Sequence, residues 1–131
     1  MITLIKENCS FQGKLLLVSA VSAGDVPTFA LDQLIVSNEF KRVAFFYSEF
    51  IEPYVGYLPQ EIEGGALGLP GELYMRGDIL ILQFRSSIRF GRKKELAKEI
   101  SAFAKANDIK DVVVLASLPY SIKQDSEIIA K

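Results

Sequence analysis

The stretch that decides the fold is VSAVSAGDVPTFALDQLIVSN, residues 18–38. It begins as an apolar strand, turns at the small residues 22–25, and passes through Pro27 into a run with apolar residues in every turn. Asp25 is suited to cap a helix, and proline is tolerated in the first helical turn because its missing N–H costs no hydrogen bond there. The stretch therefore predicts a strand leading directly into a helix that ends near Asn38. Its apolar positions are Phe29, Leu31, Leu34 and Ile35.

Length and composition indicate one globular domain spanning residues 1–131. Half of the residues are apolar and 24% are charged, which excludes a disordered chain. A chain of this length can bury about 68% of its unfolded surface, enough for an ordinary core. The 15 basic and 16 acidic residues nearly cancel. No basic excess is left for binding nucleic acid, so we expect no nucleic-acid partner.

The rarest residue types exclude several kinds of chemistry. The sequence has no histidine, which removes Ser-His-Asp and Cys-His catalysis and histidine-ligated zinc. Cys9 is the only cysteine, which favours a reducing compartment, the cytoplasm or also the nucleus. Charged residues interrupt every apolar run, so we expect neither a signal peptide nor a membrane span. We therefore expect a non-catalytic protein without a cofactor.

The order of the apolar runs predicts an α/β fold. Residues 14–21 and 42–47 are apolar without alternation, as in strands covered on both faces, and the helix between them suggests a right-handed parallel crossover with the first strand central. A long loop rich in proline and glycine follows over residues 49–70. Strand-like runs at 72–75 and 78–84 then flank Arg76-Gly77, which predicts an antiparallel hairpin.

The rest of the chain supplies a second helix and a last strand. Apolar residues at helical spacing predict an amphipathic helix over residues 92–107, and DVVVLA, residues 111–116, predicts another strand covered on both faces. We therefore expect a mixed, mostly parallel sheet flanked by helices, with an antiparallel hairpin. The apolar helix positions are Leu96, Ile100, Phe103 and Ala104.

Three features are candidates for a binding role. The 22–25 turn lies where an anion could bind, but Asp25 repels anions and the turn lacks phosphate-loop glycines, so a structural cap is the better interpretation. The basic run over residues 85–94 fits a solvated face or the acidic surface of a protein partner. The aromatic loop FIEPYVGY, residues 50–57, either packs on its own core or lies in an interface. The candidate partner-binding residues are Phe50, Tyr54, Tyr57, Arg85 and Arg89.

Taken together, these segments resemble the proteasome assembly chaperone 2 family, in its N-terminal part. The resemblance covers residues 15–121, and its most specific parts are the 21–26 turn, the aromatic strand ending at Tyr47, the 53–56 loop and LQFRS at 82–86. The matching segments are LLLVSAVSAGDVPTFALDQLIVSN, KRVAFFYSEFIEPYVGY, ELYMRGDILILQFRSSI and DVVVLASLPYS.

The resemblance implies a non-catalytic chaperone that pairs with a second proteasome assembly chaperone, the two together holding proteasome α subunits while the α-ring forms. It also implies a phosphorylase-like α/β sandwich and a longer family fold. Many family members end in a hydrophobic-Tyr-any tail, whereas this sequence ends Ile129-Ala130-Lys131, so we expect a fragment or shortened relative without tail-dependent docking.

Two other interpretations stay open. An enzyme or small-molecule binder of phosphorylase-like fold would use the strand ends near Ser22, Gly24 and Ser117. An α/β dimerisation module of unrelated function would associate with itself. Binding to nucleosides or phosphate would distinguish the first from a chaperone, and self-association without α-subunit binding would distinguish the second.

Overall fold

The computed structural model describes residues 2–4, 10–19 and 26–116, in which one main sheet is combined with two α-helices. A 3-10 helix, Glu63–Gly65, lies in the long loop. In chain order the other elements are β1 (Ile2–Leu4), β2 (Leu15–Ser19), α1 (Val26–Ser37), β3 (Lys41–Phe46), β4 (Gly56–Tyr57), β5 (Leu67–Gly68), β6 (Gly71–Arg76), β7 (Ile79–Phe84), α2 (Lys93–Ala106) and β8 (Asp111–Leu115).

The main sheet has the strand order β1-β3-β6-β7-β2-β8. The α/β class, the mixed sheet and the hairpin are confirmed, but the expectation of a mostly parallel sheet is wrong. The β1–β3, β3–β6 and β6–β7 pairs are antiparallel, and only β7–β2 and β2–β8 are parallel. The reason is that the hairpin β6–β7 inserts between β2 and β3. Those two strands run in the same direction, as predicted, without being neighbours.

Both predicted helices are present, and both end in the same way. An asparagine side chain donates to the last turn: Asn38 Nδ2 to Leu34 O at 3.3 Å and Asn107 Nδ2 to Phe103 O at 2.9 Å. The next residue in each case has a positive φ, 55° at Glu39. The residue after that donates back to the helix, as Phe40 N does to Ile35 O at 3.0 Å, which is the Schellman arrangement. The predicted Asp25 cap and the 22–25 turn lie outside the described residues.

The sheet separates two apolar clusters. β7 contributes to both, because alternate residues of a strand point to opposite faces. On the α2 side its Leu80, Leu82 and Phe84 pack with α2, and on the α1 side its Ile79 and Ile81 pack with α1. The α2-side cluster also contains Leu16, Val18, Val43, Phe46, Leu73, Leu96 and Phe103; the α1-side cluster contains Leu31, Ile35, Phe40, Leu58, Ile62 and Tyr74.

The prediction that β8 is covered on both faces is wrong. Its three valines, Val112, Val113 and Val114, are 44%, 43% and 57% exposed. The reason is position: β8 is the last of the described strands in the sheet, while α1 packs over β2 and β7, one and two strands further in. The predicted connection through α2 does join parallel strands, β7 and β8, but β2 lies between them. Within the described ranges, neither helix has the length and apolarity to cross a bilayer.

Candidate partner-binding surface

The loop after β3 is attached to the chain segment that follows β7. Glu52 N donates to Ser87 O at 2.8 Å, and Arg89 N donates to Phe50 O at 2.7 Å. An isolated antiparallel bridge joins Ile51 to Ile88 between these two bonds. A loop with this many backbone hydrogen bonds has a defined shape, so the side chains that it presents are held in place.

Phe50 and Arg89, two of the five predicted partner-binding residues, lie on this loop pair. Phe50 is half-buried and packs against the α2-side cluster, so it supports the core. Arg89 is half-exposed; its Nε donates to Glu49 O at 2.8 Å, and its guanidinium lies 3.7 Å from the Glu52 carboxylate. Such an exposed ion pair contributes little to stability, so Arg89 can exchange its partner at low cost.

Tyr54, the third predicted residue, shares a cavity of about 370 Å³ with Arg89. The cavity lies beyond the end of β3 and before the start of β6, and its walls are mainly apolar. Its volume is at the lower end for small-molecule sites and also suits one apolar side chain of a protein partner. Its lining includes Phe46, Tyr47, Ile51, Pro53, Tyr54 and Pro70.

Tyr57, the fourth residue, lies on the other side of the sheet. It pairs with Leu67 in the small β4–β5 sheet, and the neighbouring Leu58 packs in the α1-side cluster. Tyr57 is 81% exposed, and the half-exposed Leu67 lies opposite it. The sequence therefore did not group these tyrosines correctly: Tyr54 and Tyr57 are three residues apart but serve different surfaces.

Helix α1 adds exposed apolar side chains on this same side of the sheet. Phe29 is 66% exposed, whereas Leu31 and Ile35 of the same helix are buried. The helix carries a single charge, Asp32, which points inward to Arg85. We call the exposed apolar residues of α1 and the β4–β5 sheet the α1-side surface: Val26, Phe29, Val36, Tyr57 and Leu67.

Arg85, the fifth predicted residue, is only 8% exposed and belongs to a buried charge network. Its guanidinium donates to Asp32 at 3.0 Å and, through Nε, to Glu72. Glu72 is fully buried and also accepts from Arg42 at 2.7 Å. The charge of Arg85 is thus neutralised inside the molecule, in a position that links α1 to β6 and β7. This placement does not favour a direct contact with a partner.

Tyr74 completes the network. Its hydroxyl donates to Glu72 Oε1 at 3.0 Å and accepts from Arg85 at 3.2 Å. Burial, with the nearby Glu72 carboxylate, raises the pKa of Tyr74 above its ordinary value because the phenolate would lose its solvation there. The network therefore keeps the Tyr74 hydroxyl protonated and neutral, which is a structural role.

Sequence reasoning missed Asp32 and Glu72, and one signal could have found Asp32. A single carboxylate in an otherwise uncharged apolar helix needs a buried partner. No such signal marks Glu72. The strand ends proposed for an enzyme, near Ser22, Gly24 and Ser117, lie outside the described residues. In the part of the chain that the structure describes, no group of His, Cys, Asp or Glu side chains is arranged to hold a metal ion.

Comparison with known proteins finds relatives by sequence and solved structures of similar fold. Proteasome assembly chaperone 2 of Danio rerio is 27% identical over 124 residues, covering 91% of this chain and 48% of the relative. Proteasome assembly chaperone 2 of Bos taurus is 29% identical over 110 residues, covering 80% of this chain and 42% of the relative. The chain thus spans about half the length of the curated relatives it matches.

Solved structures have the same fold. PbaA of Pyrococcus furiosus, described as an archaeal homolog of proteasome-assembly chaperone, superposes with a TM-score of 0.72 at 21% identity, over 95% of this chain and 52% of that one. A protein of unknown function from Thermoplasma acidophilum gives a TM-score of 0.67 at 15% identity, over 79% and 41% of the two chains. The model of the PAC2 family matches residues 16–129. The chain therefore belongs to the PAC2 family, as the resemblance of its segments predicts.

Proposed function

We propose that this chain is a non-catalytic proteasome assembly chaperone subunit, which pairs with a second assembly chaperone and assists formation of the proteasome α-ring. The observation that carries the proposal is the PAC2 family match over residues 16–129, together with relatives named proteasome assembly chaperone 2. The lone cysteine supports a reducing compartment, the cytoplasm or also the nucleus.

The described surface supports a protein-binding role. Interface centres are depleted in charge and enriched in aromatic residues. The α1-side surface contains Phe29 and Tyr57, and the single charged residue of α1, β4 and β5, Asp32, points inward to Arg85. On the other side of the sheet, the cavity near Tyr54 can receive an anchoring side chain. The chain also has no histidine for acid–base catalysis at neutral pH. Protein binding through these surfaces requires no histidine.

Capture of partners tests the proposal directly. The 131-residue chain is immobilised through an affinity tag and mixed with purified proteasome α subunits or with a second assembly chaperone. We expect both to be retained at micromolar concentration and α-ring formation to be faster when both chaperones are present. A monomer that retains neither partner at that concentration would overturn the proposal.

A matched pair of variants locates the contact. We expect Phe29→Ser to weaken capture by about tenfold or more, because an interface loses an aromatic anchor. Phe90→Ser makes the same chemical change at a fully exposed phenylalanine before α2, outside the α1-side surface, and should leave capture within about twofold. Equal loss with both variants, or none with either, would show that the α1-side surface is not the contact.

A further inference from the structure

The two carboxylate oxygens of Glu72 bind groups that belong to different elements. Oε1 accepts from Arg85, which in turn donates to Asp32 of α1 at 3.0 Å. Oε2 accepts from Arg42 Nη1 at 2.7 Å and from Leu69 N, directly after β5, at 3.4 Å. The residue is fully buried. One buried anion therefore connects α1 with the part of the chain that carries β4 and β5.

Arg42 attaches this part of the chain, residues 56–69, to the main sheet; we call it the β4–β5 segment. Arg42 Nη1 donates to Leu67 O at 2.7 Å as well as to Glu72, and the Arg42 backbone N donates to Glu63 Oε1 at 2.8 Å. The Arg42 side chain is only 11% exposed, so these bonds are largely shielded from water. The segment is thus held by the same cation that neutralises Glu72.

The two elements also share an apolar cluster. Leu58 and Ile62 of the β4–β5 segment pack with Leu31 and Ile35 of α1. Apolar contacts are non-directional, and a cluster of them can repack when one element moves. A buried charge network lacks this tolerance, because removing one partner leaves an uncompensated charge inside the protein. The charges, more than the apolar contacts, make the two elements depend on each other.

Opening of the β4–β5 segment weakens the attachment of α1. It takes Leu69 N away from Glu72 and Leu67 O away from Arg42, and it admits water to both charges. Attraction between opposite charges falls several-fold when water replaces the protein interior around them. Arg85, which is bound to Glu72, then holds α1 less strongly. Release of α1 weakens the attachment of the segment by the same amount, because the coupling of two equilibria is reciprocal.

We propose that Glu72 couples α1 to the β4–β5 segment, so that the two elements open together as one cooperative unit while the main sheet stays folded. A ligand or partner that holds either element in place then also stabilises the other. The coupling is a route by which binding at one element is transmitted to the other. The inference does not rest on the proposed function, because it is measured on the chain alone.

Native-state hydrogen exchange of the parent chain at increasing urea tests the coupling. Leu58 N donates to Ala66 O at 2.8 Å within the β4–β5 segment, and Ile35 lies in α1. We expect the amides of Leu58 and Ile35 to open with the same free energy and the same urea dependence, both below the values for Leu82 in β7. Different values for Leu58 and Ile35, or opening of both only together with Leu82, would overturn the proposal.

Substitutions test whether the coupling passes through Glu72. Asp32→Asn acts on α1 and should speed exchange of the Leu58 amide about tenfold or more. Asp78→Asn makes the same change at an exposed carboxylate in the turn between β6 and β7, and should leave this amide within about twofold of the parent.

The Glu72→Gln background separates the charge network from the apolar cluster. In that background Asp32→Asn should speed exchange at Leu58 by less than about threefold, because the connection is already broken. An unchanged Leu58 amide in Asp32→Asn, or the full tenfold effect in the Glu72→Gln background, would overturn the proposal. The measurement on the parent chain needs no variant, so it decides the question even where Glu72→Gln does not fold.

Discussion

Glu72 is a fully buried carboxylate on which two cations converge, Arg42 at 2.7 Å and Arg85. Replacing Glu72 with glutamine keeps the shape but leaves Arg42 without this buried anion and Arg85 with Asp32 alone, so we expect a loss of about 3 to 5 kcal/mol in the free energy of unfolding. Urea denaturation measures this loss of stability. The exposed Glu61→Gln should change the same quantity by less than about 0.5 kcal/mol. A small effect at Glu72 would mean that the network contributes no net stability.

Tyr74 makes stability depend on alkaline pH. Its pKa is raised in the folded chain by burial and by Glu72, so the folded state holds the phenolic proton more tightly than the unfolded state. The contribution is complete below the unfolded pKa of about 10 and is lost as pH rises toward the folded value. We therefore expect the free energy of unfolding to fall above about pH 10, and to fall less steeply in Tyr74→Phe. Urea unfolding of both proteins between pH 8 and 11 compares the slopes; identical slopes would contradict the assignment.

Among the secondary-structure elements, the residue that follows α1 affects stability through its backbone conformation. Glu39 follows α1 in the left-handed region, with φ at 55°, where most non-glycine residues are strained and glycine is not. Glu39→Gly should therefore raise the free energy of unfolding by about 0.5 to 1 kcal/mol, whereas Glu39→Ala keeps the strain. Thermal or urea unfolding of the two variants measures the difference. Equal stability of both would show that the helix end relaxes without strain.

Sequence patterns predicted which helices and strands form better than they predicted which strands lie next to each other in the sheet. Both helices and the β6–β7 hairpin follow from local spacing, because a helix or tight turn is decided within a few residues. The partner of β3 was missed, since the choice between β2 and β6 depends on contacts about thirty residues apart. The exposure of β8 was missed for a related reason. An apolar strand has the same composition at an open edge as in the centre, and only the sheet order distinguishes the two.

At the scale of the whole molecule, we expect local unfolding to begin at the edge of the described sheet. β7 has a strand on either side and apolar clusters on both faces, whereas β8 has one described neighbour and exposed valines. In native-state hydrogen exchange we expect the amides of β7 to exchange with free energies near that of global unfolding, and those of β8 to exchange faster. Equal protection of β8 and β7 would contradict this view.

At this scale the candidate surface was only partly predictable. Tyr54 and Arg89 belong to two different sequence features, the aromatic loop and the basic run, yet they share a cavity because both adjoin strand ends that meet beyond β3 and β7. Arg85 belongs to the same basic run as Arg89, but its side chain lies on the opposite face of the sheet with Asp32. Charge in a sequence does not reveal the face to which a strand residue points until the register is known.

One carboxylate sets the angle to which α1 is turned about its own axis. The helix has apolar residues around most of its circumference, with Leu31 and Ile35 buried and Phe29 and Val36 outside. Hydrophobicity alone distinguishes poorly between this orientation and the opposite one, in which Phe29 and Val36 would be buried. Asp32 must reach Arg85 and Gln83, at 3.0 Å and 2.9 Å, and this requirement admits only one of them. The outward face of α1 is thus apolar because the buried contacts of Asp32 permit only one rotation of the helix about its axis.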